Sequence, residues 1–183
     1  MILGLDPSST RTGYCFMHAD RRIEDAGIIT GTSGAHYTRR SREIANEVAE
    51  MIASVPVASL SKIFVEIPSG HVGWARKSNG AGLSIYGFAV GAMYFAVSQA
   101  APGRVSWVTE TDWTKGRRKQ TRSQKISMLY PEYLAQQHRD SGMDVADAIG
   151  LCLWWFENRA DETGVTDDGT KADCEERGEV ECR

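Results

Sequence analysis

The sequence has little of what builds a disulfide framework or a zinc site. It contains four cysteines and four histidines among 183 residues, and no two cysteines form a C-x-x-C pair. Cys15 and Cys152 fall in apolar segments and are predicted to be plain core residues. We therefore expect a protein of a reducing compartment, the cytoplasm.

Long apolar runs are also missing. The longest, Leu83–Val97, is interrupted by Ser84, Gly87 and Gly91. A transmembrane helix needs about 20 consecutive apolar residues, so we predict a buried helix here and no membrane span. Gly87 and Gly91 lie one helical turn apart and indicate either close packing on a sheet or a subunit interface. We also expect no signal peptide, because the chain opens on a strand pattern.

The net charge is small, but it is unevenly distributed. The formal net charge is -3; residues 161–183 hold nine acidic and three basic side chains, which leaves a mildly basic body. The tail is poor in apolar residues, so we predict one folded domain over 1–159 and a disordered acidic segment over 160–183. A mildly basic body permits a polyanionic partner without requiring one.

Three short apolar patterns open the chain, and helices alternate with strands after them. Short turns separate the first three predicted strands (2–6, 13–17 and 23–30), which is typical of an antiparallel meander. The later elements are predicted as helix, strand, helix, strand and helices, over residues 36–55, 61–67, 83–100, 104–108, 109–113, 121–130 and 143–158. This order predicts an α/β fold, a mixed five-stranded sheet with helices on both faces.

Carboxylates stand at the ends of predicted core elements. Asp6 ends the first strand, and Glu66 ends the apolar run Ile63–Val65. Asp144 and Asp147 are three residues apart, so both project from one face of the last helix. Each has an ordinary explanation when it is taken alone, as a turn cap for Asp6 or as a partner of the helix dipole for either aspartate.

Taken together, the four carboxylates predict a metal centre. Converging carboxylates raise one another's pKa, and divalent cations offset their repulsion. Hard oxygen ligands suit Mg²⁺ or Mn²⁺. Two such ions about 3.5–4 Å apart clamp the attacking water and the leaving oxygen of an in-line phosphoryl displacement. The pattern therefore favours phosphodiester hydrolysis.

Two stretches combine basic and aromatic side chains. Six of the eleven residues from Lys115 to Lys125 are Lys or Arg. They form either a solvated surface loop or, because they precede the acidic helix, a contact to a phosphate backbone. Trp74, flanked by Arg76 and Lys77 in a glycine-rich loop, either packs on the core or stacks on unpaired bases. Three other tryptophans are assigned to the core or an interface: Trp107, Trp154 and Trp155.

These motifs resemble those of a known family. Ile2–Ser8 with Thr12–Tyr14 is similar to the opening motif of the RuvC-family Holliday-junction resolvases, which have a ribonuclease H-like fold. Val65-Glu66 resembles the second acidic motif of the family, and Asp144–Ala148 resembles its closing D-x-x-D-A motif. The similarity covers residues 1–158 and indicates a divergent or phage-type member.

The resemblance implies a homodimer that binds four-way DNA junctions. Each subunit would cut one strand with Mg²⁺ or Mn²⁺ and leave 5′-phosphate and 3′-hydroxyl ends. The metal ligands by position would be Asp6, Glu66, Asp144 and Asp147. The aromatic residue near the junction centre would be Trp74, with His71 second. The DNA-facing basic residues would be Lys115, Arg117, Arg118, Lys119, Arg122 and Lys125.

Other functions stay open on the sequence alone. The nearest is a nuclease of the same fold that acts on flaps, replication forks or RNA–DNA hybrids. A second, of another class, is a non-catalytic branched-DNA-binding protein, although such a protein gains nothing from an acidic pocket that faces DNA. A small-molecule kinase of the wider fold would need phosphate-cradling glycine turns beyond the turn at Asp6.

Overall fold

The computed structural model describes residues 1–69 and 80–162. The strands are β1 (Ile2–Pro7), β2 (Arg11–Met17), β3 (Ile23–Thr30), β4 (Lys62–Ile67) and β5 (Val105–Thr109). The helices are α1 (Tyr37–Ser54), α2 (Gly80–Ala100), α3 (Glu110–Thr114), α4 (Lys119–Leu129), α5 (Pro131–Gln136) and α6 (Asp144–Glu162). Four of the predicted DNA-binding residues lie outside the described residues: His71, Trp74, Arg76 and Lys77.

The five strands form one sheet in the order β3-β2-β1-β4-β5. The first three strands pair antiparallel, whereas β4 runs parallel to β1, and β5 runs parallel to β4. A parallel pair needs a crossover connection, and helices provide it here. The predicted meander and the mixed five-stranded sheet are confirmed.

Helices cover both faces of the sheet, and strand alternation decides which side chains meet which helix. Leu3 and Leu5 of β1 pack in the core that α1 and α2 cover. Ile2 of the same strand packs in the core under α6. Cys15 and Cys152 are buried free thiols in that second core, as predicted.

Two glycines let α6 lie close to the sheet. A Cβ atom at Gly4 would meet the carbonyl oxygen of Ala148, and one at Gly13 would meet the backbone of Asp144. Both clashes would be with backbone atoms of α6, which cannot move aside as the end of a flexible side chain can. The small residues on β1 and β2 therefore set how near the first turns of α6 come to the ends of these strands.

Some element boundaries differ from the prediction. Helix α4 begins at Lys119, two to four residues earlier than predicted, with Arg118 at its N-cap. Pro131 opens the additional helix α5, since proline fits a first helical turn where its missing N–H would have no partner. Helix α6 ends at Glu162 and so extends past the predicted end near residue 158.

Helix α2 is not buried all round, so that prediction was wrong. It packs along α1 and over the sheet, but four of its large apolar side chains are exposed: Leu83, Phe88, Tyr94 and Phe95. A Cβ atom at Gly87 or Gly91 would meet nothing within 4 Å, so these glycines do not serve close packing on the sheet. Trp107, on the edge strand β5, is 42% exposed and stacks on Tyr94.

The apolar character of α2 also bears on the membrane question. Among the described residues, one stretch, Gly82–Ala100, is long and apolar enough to cross a membrane, and 22% of it is buried. Core helices of soluble proteins have the same length and apolar composition, so these two features are weak evidence for a membrane span.

Candidate functional site

The four predicted carboxylates meet at one edge of the sheet. Asp6 and Glu66 stand in neighbouring parallel strands, each one residue beyond the last paired positions of β1 and β4. Alternation turns both side chains toward α6. Asp144 and Asp147 project from the first turn of that helix. We call these four residues the acid cluster.

The acid cluster is shielded from water. Asp147 is 2% exposed and Glu66 is 8% exposed. Burial raises the pKa of Asp6 from 3.8 to about 7, although Lys119 acts to lower it. Burial, with the charges of Asp6 and Asp147 in addition, raises the pKa of Glu66 from 4.5 to about 9. Such shifts mean that the cost of burying these carboxylates in ionised form outweighs the attraction of the groups that stabilise them.

A lysine ammonium lies among three of the carboxylates. The Nζ atom of Lys119 is 3.5 Å from Oδ2 of Asp6, 2.9 Å from Oδ1 of Asp144 and 3.1 Å from Oδ2 of Asp147. Burial alone would lower the pKa of Lys119, but the carboxylates of Asp6 and Asp147 hold it above its usual range. Three carboxylates therefore already converge on one cation.

Two arginines bind the helical carboxylates. Arg122 donates from Nε and Nη2 to the two oxygens of Asp147, at 2.9 and 2.8 Å. This bidentate geometry fixes the orientation of the carboxylate. Arg11 at the start of β2 forms an ion pair with Asp144. Sequence reasoning missed Arg11, and no spacing marks it, because its contact depends on how β2 meets α6.

Trp113 connects the strand and helix parts of the acid cluster. Its indole Nε1 donates a buried hydrogen bond of 2.8 Å to Oε2 of Glu66. The guanidinium of Arg122 lies 4.8 Å from the centre of the same ring. A continuous series of contacts thus runs from Glu66 through Trp113 and Arg122 to Asp147. No spacing in the sequence indicates this role for Trp113.

Asp140 caps the helix that carries two of the carboxylates. It is buried, and its carboxylate accepts the backbone N–H groups of Asp144, Val145 and Ala146 at 2.8, 3.1 and 3.2 Å. The hydroxyl of Tyr133 donates to it as well, at 2.9 Å. These bonds satisfy N–H groups that a helix start leaves without partners. An aspartate shortly before an apolar helix is a sequence signal for a helix start, and this signal could have identified Asp140.

Tyr86 of α2 lies within electrostatic range of two residues of the acid cluster, Glu66 and Asp6. Burial raises the pKa of its hydroxyl above the usual range, and the charges of Glu66 and Asp6 raise it further. Sequence reasoning missed this residue too, because nothing in the apolar pattern of α2 sets it apart.

The predicted basic run divides into two groups. Lys119 and Arg122 are engaged with the acid cluster, and the Arg122 side chain is only 10% exposed, so a solvated loop does not describe these two. The remaining four are exposed: Lys115, Arg117, Arg118 and Lys125. Lys125 lies 3.5 Å from the carboxylate of Glu157 on α6.

As they stand, the carboxylates of the acid cluster are turned to cationic side chains rather than grouped as metal ligands. Within residues 1–69 and 80–162, no three Asp, Glu, His or Cys side chains are grouped so that they could hold a metal ion. The oxygens of Asp144 and Asp147 instead face Lys119 and the two arginines.

Comparison with known proteins places the fold. No protein-family model matches the chain, and no curated protein matches it by sequence. The chain has a ribonuclease H-like α/β fold. A solved structure, T. thermophilus RuvC in complex with Holliday junction substrate, shares this fold with a TM-score of 0.57 and 17% sequence identity, over 87% of this chain and 95% of that one.

Proposed function

We propose that this chain is a metal-dependent endonuclease that cuts four-way DNA junctions. The observation that carries the proposal is the acid cluster itself, four shielded carboxylates at the ends of β1, β4 and the start of α6. Burying so many like charges is costly unless cations are bound among them. The protein of the same fold that was solved with a Holliday junction supports this choice of substrate.

The donor set fits Mg²⁺ or Mn²⁺, with two ions per site. All four groups are hard oxygen ligands, and three of them already attract the ammonium of Lys119. The ligands would be Asp6, Glu66, Asp144 and Asp147, once the ammonium of Lys119 leaves their oxygens. When bound, such ions lower the pKa of an attacking water and stabilise the departing 3′ oxygen.

The protein's own side chains would position the reacting groups. Trp113 holds Glu66, and Arg122 holds Asp147 in one orientation. The Lys119 side chain is 36% exposed on a flexible stem, so it can leave the carboxylates and contact the scissile phosphate. Lys119 would then move between two anionic partners while Arg122 stays in place.

The exposed residues of the basic run would hold the DNA backbone. Contacts from lysine and arginine to phosphates provide affinity and position without reading sequence. We assign this role to Lys115, Arg117, Arg118 and Lys125. Trp74, His71, Arg76 and Lys77 remain our proposal for contacts at the junction centre.

The active form is proposed to be a homodimer that pairs through α2. Four large apolar side chains of α2 are exposed, and one of them, Tyr94, stacks on the exposed Trp107 of β5 with ring centres 4.1 Å apart. Exposed apolar surface of this kind is typical of an interaction site. Two copies would bring two acid clusters to one junction, so that each cuts one strand.

A branched-DNA-binding protein without nuclease activity is the second candidate. The position of Lys119 favours it, because an ammonium among the carboxylates can stand permanently where a metal ion would bind. The two candidates differ in whether divalent metal displaces that ammonium.

A substrate panel separates these functions. Labelled four-way junctions, flaps, forks and RNA–DNA hybrids are incubated at matched salt with Mg²⁺, Mn²⁺ or EDTA. We expect symmetric paired nicks in four-way junctions with either metal, at least tenfold faster than cutting of the other substrates. Equal cutting of all substrates would indicate a less selective nuclease, and binding without cleavage would indicate the second candidate.

A further inference from the structure

A cavity of about 260 Å³ opens between α4 and α6, beside the acid cluster. Its apolar walls include Trp113, Trp154, Ile126 and Leu153. Polar and charged groups surround these walls: Arg117, Thr121, Lys125 and Glu157. We call it the α4–α6 cavity, and none of the roles assigned above makes use of it.

Two of its lining residues also touch the acid cluster. The guanidinium of Arg122 lines the cavity and binds Asp147 at 2.8 Å. The indole of Trp113 lines the cavity and donates to Glu66 at 2.8 Å. The α4–α6 cavity is therefore separated from the candidate reaction centre by the thickness of a single side chain.

We propose that the α4–α6 cavity receives one unpaired nucleobase of the DNA strand that is cut. The inference rests on the proposed function and adds a binding site to it. Cavities for drug-sized ligands hold roughly 300–1,000 Å³, so this smaller one suits a single heterocycle. Trp154, which is partly exposed, offers the aromatic surface on which any base stacks, and the buried Trp113 forms part of the wall.

The charges around the cavity favour a base that is still attached to its strand. Arg117 is an exposed cation at the rim, and Lys125, also exposed, lies there 3.5 Å from the carboxylate of Glu157; the phosphates on either side of an inserted base would pass these cations. Thr121 supplies a hydroxyl at the wall for the polar edge of the base. The cavity therefore complements a nucleotide within a chain.

Such a site would contribute to the choice of branched DNA. Extracting a base costs least where pairing and stacking are already interrupted, as at a branch point. A duplex would have to lose a base pair before the same base entered the cavity. Occupation of the α4–α6 cavity would then position the neighbouring phosphate at the acid cluster only when the DNA is branched.

The test fills the cavity without touching the acid cluster. Thr121 is an exposed position of α4 that lines the cavity, so Thr121→Trp places a large ring in it. Gln124 is exposed on the same helix but does not line the cavity, so Gln124→Trp is the matched control. Neither substitution removes a core side chain.

The measurement uses four-way junctions that carry 2-aminopurine at one position at a time on both sides of the cut, bound in EDTA. We expect wild-type protein and Gln124→Trp to change the fluorescence at one position, and Thr121→Trp to abolish that change. With Mg²⁺, Thr121→Trp should cut about tenfold more slowly than the control. An abasic site at the same position should slow cleavage by wild-type protein to the same extent as the Thr121→Trp substitution does. It should not slow cleavage by Thr121→Trp any further.

The outcomes distinguish the cavity from the proposed function. A fluorescence change that is the same in Thr121→Trp, or one that does not depend on position, overturns the nucleobase site even if every variant cuts junctions. Wild-type protein that cuts nothing overturns the proposed nuclease, while the fluorescence measurement without metal still decides the cavity.

Discussion

Lys119 neutralises the acid cluster and, on our account, must leave it before DNA is cut. Its ammonium lies within 3.5 Å of three carboxylates, so it stabilises the metal-free protein and competes with any divalent ion for the same oxygens. Buried carboxylates without a partner are strongly unfavourable. The flexible side chain of Lys119 can thus stabilise the carboxylates in the metal-free protein and, once released, contact a phosphate.

The first prediction concerns that competition. Lys119→Met should lower the Mg²⁺ concentration needed for half-maximal thermal stabilisation, because no ammonium opposes the metal. The same change should slow junction cleavage by about 10²-fold, the usual effect of removing one charge-stabilising group from an active site. Calorimetric melting and single-turnover cleavage provide the two readings. Lys62→Met, at the start of β4 and at the opposite end of that strand from Glu66, is the control, and identical behaviour of the two variants would contradict the assignment.

The second prediction concerns pH. The pKa is about 7 for Asp6 and about 9 for Glu66 in the folded protein, against 3.8 and 4.5 ordinarily. The folded protein therefore holds more protons than the unfolded chain between about pH 4 and 9, and its free energy of unfolding falls as pH rises through that interval.

Melting in EDTA across this interval tests the pH prediction. The melting temperature should be higher near pH 5 than near pH 8, and Asp6→Asn should reduce the difference. Mg²⁺ should restore stability at pH 8 in wild-type protein. A melting temperature that rises steadily up to pH 8 in EDTA would show that the carboxyl pKa values are not raised.

At the scale of the elements, strand alternation made much of the site predictable. Asp6 and Glu66 could be placed at one edge because each ends an apolar run. Asp144 and Asp147 could be placed on one face because they are three positions apart on a helix. The contact of Lys119 with these groups could not be predicted, since it depends on the packing of α4 against α6 rather than on any repeat in the sequence.

The exposed face of α2 could not be predicted for a related reason. Apolar side chains surround that helix, and a pattern without polarity does not reveal which face meets the sheet. Gly87 and Gly91 left two explanations open until the structure showed that neither contacts the core. The exposure of Trp107 could not be predicted either, because edge strands and central strands have similar amino-acid compositions.

The third prediction concerns the start of α6. Asp140→Ala removes the acceptor of three backbone N–H groups and of the Tyr133 hydroxyl, so it should lower the free energy of unfolding by about 2 kcal/mol. Because Asp144 and Asp147 stand on this turn, cleavage should fall even in the folded fraction. Urea unfolding and cleavage assays measure the two effects.

The cap of another helix provides the comparison. His36 accepts one N–H at the start of α1, which carries none of the site residues. His36→Ala should cost a few tenths of a kcal/mol at most, because this hydrogen bond is long, at 3.5 Å, and exposed. If Asp140→Ala cost no more than His36→Ala, the cap would not be what holds the acid cluster.

At the scale of the whole molecule, the fourth prediction concerns the dimer. Phe95 is the most exposed of the four large apolar side chains of α2, at 68%, so Phe95→Glu should convert a dimer to monomers in analytical ultracentrifugation. Paired cuts in one junction should become single nicks. Leu134→Glu changes an exposed apolar residue on α5 and should leave the mass unaltered. Wild-type protein that sediments as a monomer at micromolar concentration would contradict the arrangement.

The most direct measurement compares wild-type protein, Asp6→Asn and Glu50→Gln on one labelled four-way junction under single-turnover conditions. Glu50 is an exposed carboxylate on α1, remote from the acid cluster. We predict symmetric cleavage with Mg²⁺ by wild-type protein and Glu50→Gln, none in EDTA, and none by Asp6→Asn, which should still bind the junction. Cleavage by Asp6→Asn at the wild-type rate would contradict the central claim that the acid cluster performs the reaction.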